Sequence, residues 1–176
     1  MKISLLIPVY NYDIVALVQS MKNAMGIVPE FYEILIGDDG SSVEYREKYK
    51  SMEGDNIRVI SSEKNIGRAA IRNRLALEAK GDFFLFIDAD TMLPGTAEAY
   101  MLKWIPFLNT SRVQCGGVLY HDSAPGDPDK LLRWKYGKWR EQRKAAERNR
   151  HPHAGFQHLM YFLKNQSFLK FALMKN

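Results

Sequence analysis

Phe83-Phe84-Leu85-Phe86-Ile87-Asp88-Ala89-Asp90 is the stretch on which the fold of this 176-residue chain turns. Five consecutive large apolar residues describe a strand buried on both faces, as in a parallel sheet covered by helices. Two carboxylates then arrive at its C-terminal end, and open α/β sheets bind ligands outside the carboxyl ends of their strands. Next to an apolar core, Asp88 and Asp90 need a cation beside them. A divalent metal carrying a phosphate ligand would serve, because hard oxygen donors suit Mg2+ or Mn2+. Taken alone, Asp-x-Asp reads equally well as a solvated loop with helix-capping carboxylates, so the neighbouring segments decide.

Strand and helix patterns alternate on both sides of it. Ile3-Ser4-Leu5-Leu6-Ile7-Pro8-Val9 reads as a first strand with Pro8 marking its end. Asp13 is placed to cap a helix in which Ile14, Leu17, Val18 and Met21 recur at helical spacing, closed by Gly26 and Pro29. Glu33 to Gly37 is a second strand, followed by the turn-forming cluster Asp38-Asp39-Gly40-Ser41-Ser42 and a charged helix from about Val43 to Met52. Ile57 to Ile60 is a third strand. Asn65-Ile66-Gly67 opens a helix from about Arg68 to Lys80, with Gly81 in the place of a C-cap glycine. Beyond Asp90, Pro94-Gly95-Thr96 breaks the chain, a helix runs from about Ala97 to Phe107, and Val113 to Leu119 reads as another strand. Such alternation predicts an α/β fold, Rossmann-like, with a mostly parallel sheet and helices on both faces.

The pattern changes near His121. Asp122 to Pro128 is turn-rich and polar, and a long basic helix is expected from about Asp129 to Arg148, with Trp134, Tyr136 and Trp139 among its cations. Gln157 to Phe162 fits one more strand and Ser167 to Met174 a last helix. The net charge of +5 divides unevenly: residues 1–128 carry 13 Lys+Arg against 17 Asp+Glu, and residues 129–176 carry 12 against 3. A basic C-terminal third suggests an anionic partner. Hydrophobic content of 46% suffices for a core and excludes disorder. The single cysteine, Cys115, excludes an intramolecular disulfide framework and suits a reducing compartment. With no secretory leader and no membrane-spanning apolar run, the expected location is cytoplasmic.

Three polar turns follow three different strands: Pro8-Val9-Tyr10-Asn11, Asp38-Asp39-Gly40-Ser41 and Asp88-Ala89-Asp90. In a parallel sheet they share one edge. A nucleoside diphosphate would need there a flat apolar face, which Tyr10 offers, and acceptors for base or ribose, which Asp39 and Asp88 offer. It would also need a metal against the pyrophosphate charge, held by Asp90. Arg68 and Arg72, four apart, share a helix face near an N-terminus, where dipole and guanidinium both favour phosphate. A single arginine there would be only a solvated side chain.

Together with Asn65-Ile66-Gly67-Arg68-Ala69-Ala70-Ile71-Arg72-Asn73, these turns resemble, in order and spacing over residues 1 to about 95, the inverting glycosyltransferases of family 2 with the GT-A nucleotide-sugar-binding fold. The resemblance implies that Tyr10 and Asp39 contact the base of a UDP- or GDP-type donor and that Arg72 helps hold the nucleotide. It implies that Asp88 lies by the ribose and that Asp90 binds Mg2+ or Mn2+ through the diphosphate. Pro8, Asn11, Asp38 and Arg68, in the same matching stretches, complete the implied donor-binding set. Residues 1–120 would then be the donor-binding region, and residues 121–176 a basic acceptor-side segment of the same domain, with Phe162 to Asn165 and Ser167 to Leu169 as its strand and helix.

One departure limits that expectation. Family members usually carry a catalytic-base carboxylate after that helix, often Glu-Asp, and inversion needs a base to take the acceptor hydroxyl's proton. After Asp129 the acidic residues are Glu141 and Glu147, inside the basic helix, and neither they nor His158 is assigned the role. The expectation is a donor-binding portion, truncated before its base, of an enzyme acting on a glycan or lipid-linked acceptor. The alternatives are a non-catalytic nucleotide- or anionic-lipid-binding module and a sugar nucleotidyltransferase, although Pro8-Val9-Tyr10-Asn11 is not the Gly-rich loop of the latter. Gly37-Asp38-Asp39-Gly40 is similar to the two-metal turn of palm-type polymerases, but that turn joins antiparallel strands. For the basic segment the plain expectation is that Trp134, Trp139 and Leu131 pack on the body while the cations stay solvated. Contact of residues 130–150 with an anionic membrane, at the inner membrane face, is the second reading. Nucleic acid is not expected. His151, His153 and His158 read as an exposed loop rather than a Zn2+ site.

Overall fold

The computed structural model describes residues 1–93, 95–108, 113–151 and 160–165. Two compact units are present: Met1–Gln114 together with Leu159–Asn176, and Cys115–His158. The described residues after 158 belong to the first unit.

The first unit contains β1 (Ile3–Val9), α1 (Val15–Met25), β2 (Phe31–Asp38), α2 (Val43–Lys50), β3 (Ile57–Ser61), α3 (Arg68–Glu78), β4 (Phe83–Ile87) and α4 (Ala97–Trp104). A 3-10 turn, Ile105–Phe107, follows α4, and the two-residue β5 (Gln114–Cys115) and β6 (Met160–Lys164) complete the sheet. Its order is β3-β2-β1-β4-β6-β5. β1 pairs in parallel with β2 and with β4, β2 in parallel with β3, and β6 antiparallel with β4. The mostly parallel α/β sheet expected from the alternation is present.

Alternation along the strands divides the apolar residues between two faces. Ile3, Leu5, Ile7 and Val9 of β1, Ile34 and Ile36 of β2, and Leu85 and Ile87 of β4 share one core with Val18 and Met21 of α1, Tyr49 of α2 and Met101 of α4. The opposite face belongs to α3. There Ile71 and Leu75 approach Gly37 so closely that a Cβ at 37 would lie 2.7 Å from Leu75 Cδ1. Phe86, on that face, stacks on Tyr161 of β6 with centroids 4.9 Å apart.

Several boundaries differ from the sequence reading, each for a visible reason. Gly81 is not a helix cap: α3 ends at Glu78 with Ala79 as its cap residue. Gly81 is required instead by close approach, since a Cβ there would lie 2.7 Å from Ser4 N and Oγ, and its N–H donates to Ser4 Oγ at 2.8 Å. The helix after Thr96 tightens into the 3-10 turn at Pro106, which lacks the N–H that an α-helix would use. The strand expected over Val113 to Leu119 is confined to Gln114–Cys115, because Arg148 takes the carbonyls of Cys115 (3.3 Å) and Gly116 (2.8 Å).

In the second unit, the single basic helix is instead two, α5 (Pro128–Arg140) and α6 (Ala145–Arg150). Both Glu141 N and Gln142 N converge on Gly137 O. Glu141 folds back to receive both Nη atoms of Arg133, each at 3.0 Å, and the hydroxyl of Tyr120. Trp134 Nε1 donates to His121 O at 2.8 Å, but Trp139 is 77% exposed. The expected helix over Ser167 to Met174, the start of the Gln157 strand, Pro94, His153 and His158 lie outside the described residues.

Candidate functional site

β1 is central, and the chain builds outward from it to β2 and β3 before returning through α3 to β4 on its other side. That reversal puts a crevice at the carboxyl ends of β1 and β4, the place where doubly wound sheets bind ligands. A cleft of about 360 Å³ opens there, within the range of small-molecule sites. Pro8, Tyr10, Asp39, Arg68, Arg72, Asp88 and Asp90, all singled out from the sequence, line it.

The floor is made by tying two loops together. Asn11 adopts a left-handed φ of 47°; its N–H donates to Ser41 Oγ at 2.9 Å and its side-chain carbonyl accepts from Ser42 N at 2.8 Å. Asp39 N donates to Val9 O at 2.9 Å. The buried Tyr49 hydroxyl donates to Tyr12 O at 2.8 Å. Asp38 is fully buried, accepts from Ser41 N at 2.8 Å and faces Arg46 Nε at 3.5 Å. Asn11 and Asp38 brace the turns through these bonds, and neither is among the residues that line the cleft.

Asp39 joins this floor to α3. Its two carboxylate oxygens accept from Ile66 N (2.7 Å) and Gly67 N (3.1 Å). Gly40 has a φ of 79°, and a Cβ there would lie 2.4 Å from the Lys64 carbonyl carbon. Only glycine lets the β2 turn pass so close to the segment that opens α3.

From α3, Arg72 closes on Asp88, while Arg68, with 82% of its side chain exposed, reaches the other Asp88 oxygen at 3.4 Å. Burial pushes the Asp88 carboxyl above its ordinary range, opposed by Arg72 and then Arg68, and Asp90 adds to the upward push. Arg72 is nearly buried and its Nε has no hydrogen-bond partner among the described residues. Tyr10 is 51% exposed at the rim, its ring free to stack.

Asp90 is exposed and makes no ion pair with any described residue. Among the described residues, no group of three or more His, Cys, Asp or Glu side chains is arranged to hold a metal. A cation at Asp90 would draw its other ligands from water and from a diphosphate. That fits Mg2+ or Mn2+, which keep waters and bind through one or two carboxylates plus phosphate oxygens.

Val9, Asn65, Gly67, Ile71 and Ala89, which lie in the matching stretches but were given no role from the sequence, and Tyr12, which was not singled out, also line the cleft. For Ile71 a signal existed: it lies three residues after Arg68, on the face of α3 that carries both arginines. Tyr12 carried none, since its placement depends on the Tyr49 anchor.

The family model described as glycosyl transferase family 2 matches residues 4–169. A poly(ribitol-phosphate) beta-glucosyltransferase of Bacillus spizizenii is 36% identical over 113 residues, which is 61% of this chain and 17% of that protein. An uncharacterized glycosyltransferase of Rickettsia bellii is 31% identical over 91 residues, 52% of this chain and 13% of that protein. The chain therefore spans under a fifth of the length of these two relatives. Among solved structures, glucosyl-3-phosphoglycerate synthase from Mycobacterium tuberculosis, in complex with Mn2+, UDP and glucosyl-3-phosphoglycerate, matches with a TM-score of 0.55 at 19% identity. The match covers 94% of this chain and 57% of that one, and it is a likeness of fold.

Proposed function

The chain belongs to glycosyl transferase family 2, and from that premise we propose that it forms the donor side of an inverting glycosyltransferase that uses a UDP- or GDP-type sugar. The observation that carries this reading is the convergence of Tyr10, Asp39, Arg72, Asp88 and Asp90 on one cleft at the β1/β4 reversal. Tyr10 stacks on the base. Asp39, whose oxygens each keep one lone pair, accepts from the base edge. Asp88, oriented by Arg72, accepts from the ribose. Arg68, largely solvated at the rim, swings onto phosphate oxygens as the donor arrives. Asp90 holds Mg2+ or Mn2+ against the diphosphate, and the ion when bound offsets the charge that builds on the departing nucleotide.

The proton of the acceptor hydroxyl needs a base, and Glu141 is unsuited. The Arg133 fork is the main cause that holds its carboxyl below the ordinary range, so its affinity for a proton is reduced. Glu147 is turned onto Lys144 N at 3.1 Å. Donor binding without transfer is therefore the expected activity of these residues alone. The relatives' greater length supports reading the chain as part of a larger enzyme, with a glycan or lipid-linked acceptor. The Bacillus spizizenii relative's name makes a glucosyl donor and poly(ribitol-phosphate) the first pair to try.

Isothermal titration of the chain with UDP and with GDP, each with and without Mn2+, tests the reading. Expected is nucleotide binding that tightens with Mn2+, with the increment lost in D90N and the metal-free affinity kept. Absence of binding by either nucleotide at millimolar concentration would sink it. Release of pyrophosphate instead of nucleoside diphosphate in a turnover assay would point to a nucleotidyltransferase.

A further inference from the structure

Helix α5 places its large apolar side chains on two opposite sides. One side packs within its own unit. Gly137 is buried so tightly against Tyr120 that a Cβ would meet the ring at 2.0 Å. Trp134 bonds His121 O, and Lys138 lies 5.0 Å over the Trp134 ring.

The other side carries Leu132, Tyr136 and Trp139, at i, i+4 and i+7, with exposures of 79%, 44% and 77%. Helical geometry puts the three within about 60° of one another, a single stripe along the helix. The Tyr136 and Trp139 rings pack edge to face, 6.4 Å apart. Lys135 and Arg140 border the stripe, one on each side, and neither makes an ion pair with a described residue. The Arg140 guanidinium lies 5.9 Å from the Tyr136 ring centroid. The exposed Arg143 extends the cationic border past the helix end.

We propose that this stripe is a docking face for an anionic lipid surface. Leu132 and Trp139 enter the boundary between headgroups and acyl chains while Lys135, Arg140 and Arg143 meet the lipid phosphates. Interfacial helices are built this way, with an apolar stripe between cations and Trp at the level of the headgroups. Three features favour lipid over other occupants. Leu132 has no flat face on which a sugar ring could stack. The stripe is a convex ridge, not a groove that would wrap a polymer. A second copy docking through the same stripe would bring Lys135 and Arg140 against their own equivalents, like charge on like charge. A helix with a narrow apolar stripe lies along the membrane surface, so this contact would be interfacial. It does not depend on the donor cleft.

Co-sedimentation of the 176-residue chain with vesicles tests it, using phosphatidylcholine alone and equal parts of phosphatidylcholine and phosphatidylglycerol. Expected is capture by the anionic vesicles only. The exposed-site double variant L132S/W139S, whose circular dichroism should match the parent, should bind more than about tenfold more weakly, since it removes two buried apolar groups from the bound state. K135E/R140E should also release the chain. Equal binding to neutral vesicles, no binding to either, or binding that L132S/W139S leaves intact would each overturn the proposal. So would a dimer in solution that L132S/W139S disperses, which would make the stripe a contact between copies.

Discussion

Arg72 donates from α3 onto the carboxylate of Asp88, at the end of β4, and the contact is shielded on both sides: 12% of the Arg72 side chain and 9% of the Asp88 side chain are exposed. It joins the crossover helix to the strand whose apolar run identified the fold. The same carboxylate lines the cleft, so the contact fixes where the proposed acceptor for ribose hydroxyls stands.

Replacement of Asp88 by Asn should therefore act twice. It removes the countercharge from a nearly buried guanidinium, at a cost of about 2 kcal/mol, as for loss of a charge-assisted hydrogen bond. It also weakens nucleotide binding by about tenfold, through loss of one directed acceptor. Urea unfolding and isothermal titration with UDP read the two effects separately. R72K should not spare either, because an ammonium lacks the planar fork that bonds Asp88 and Arg68 O together. A variant with parental stability and parental affinity would show that the pair is incidental.

The link from Asp39 to Gly67 makes a second prediction. In D39N, one carboxylate oxygen that accepts a backbone N–H becomes an NH2 group facing it, which should cost about 1–3 kcal/mol. Hydrogen exchange at the Ile66 and Gly67 amides should speed up, while that of the β1 and β4 amides should change little. G40A should be harsher than D39N in urea, since it combines a left-handed backbone with a 2.4 Å encounter with Lys64. Equal exchange rates in D39N and parent at those two amides would remove Asp39 from its role in holding the start of α3.

How much of this could be read from the chain follows from the range of the interactions. The Phe83–Ile87 run, the alternation around it and the turns after β1, β2 and β4 are local patterns, so the sheet and the edge that carries the cleft were legible. Asp39, Arg72, Asp88 and Asp90 were legible as a set because a parallel sheet brings its turns to one edge. What was hidden depends on contacts between distant residues. That Asp38 and Asn11 also tie the turns together shows only in their bonds to Ser41 and Ser42. Gly81 resembled a helix cap because its neighbour Ser4 is 77 residues away. The break between α5 and α6 was invisible because Tyr120 and Arg133 draw Glu141 out of the helix.

Gly137 makes a prediction that runs against helix propensity. Alanine in place of a mid-helix glycine ordinarily gains about 0.5–1 kcal/mol. Here the new methyl would sit 2.0 Å from Tyr120 Cζ and 2.4 Å from its hydroxyl. The ring must swing away and release Glu141, so overpacking of about 1–3 kcal/mol outweighs the gain. G137A should lower the thermal midpoint of the chain and weaken its near-ultraviolet dichroism. A raised midpoint would mean that Tyr120 yields at no cost.

Tyr120 should also be visible by titration. Burial first, then the Glu141 carboxylate that accepts its hydroxyl, pushes the phenol up to about 12 from its ordinary 10.0. A proton held more tightly by the folded chain than by the unfolded one contributes stability that is complete below pH 10 and disappears as pH rises through about 12. Glu141 has the opposite sign: held below its ordinary 4.5, chiefly by Arg133, it contributes above 4.5 and ceases to contribute as pH falls through its folded value. The absorbance difference between parent and Y120F, recorded as phenolate forms, isolates this one tyrosine among nine. It should rise near pH 12 in the parent background. In E141Q the same difference should move to lower pH, because the nearby negative charge is gone, while the acid-side loss attributable to Glu141 vanishes. A Tyr120 step that stays near 12 in E141Q would assign the shift to burial alone.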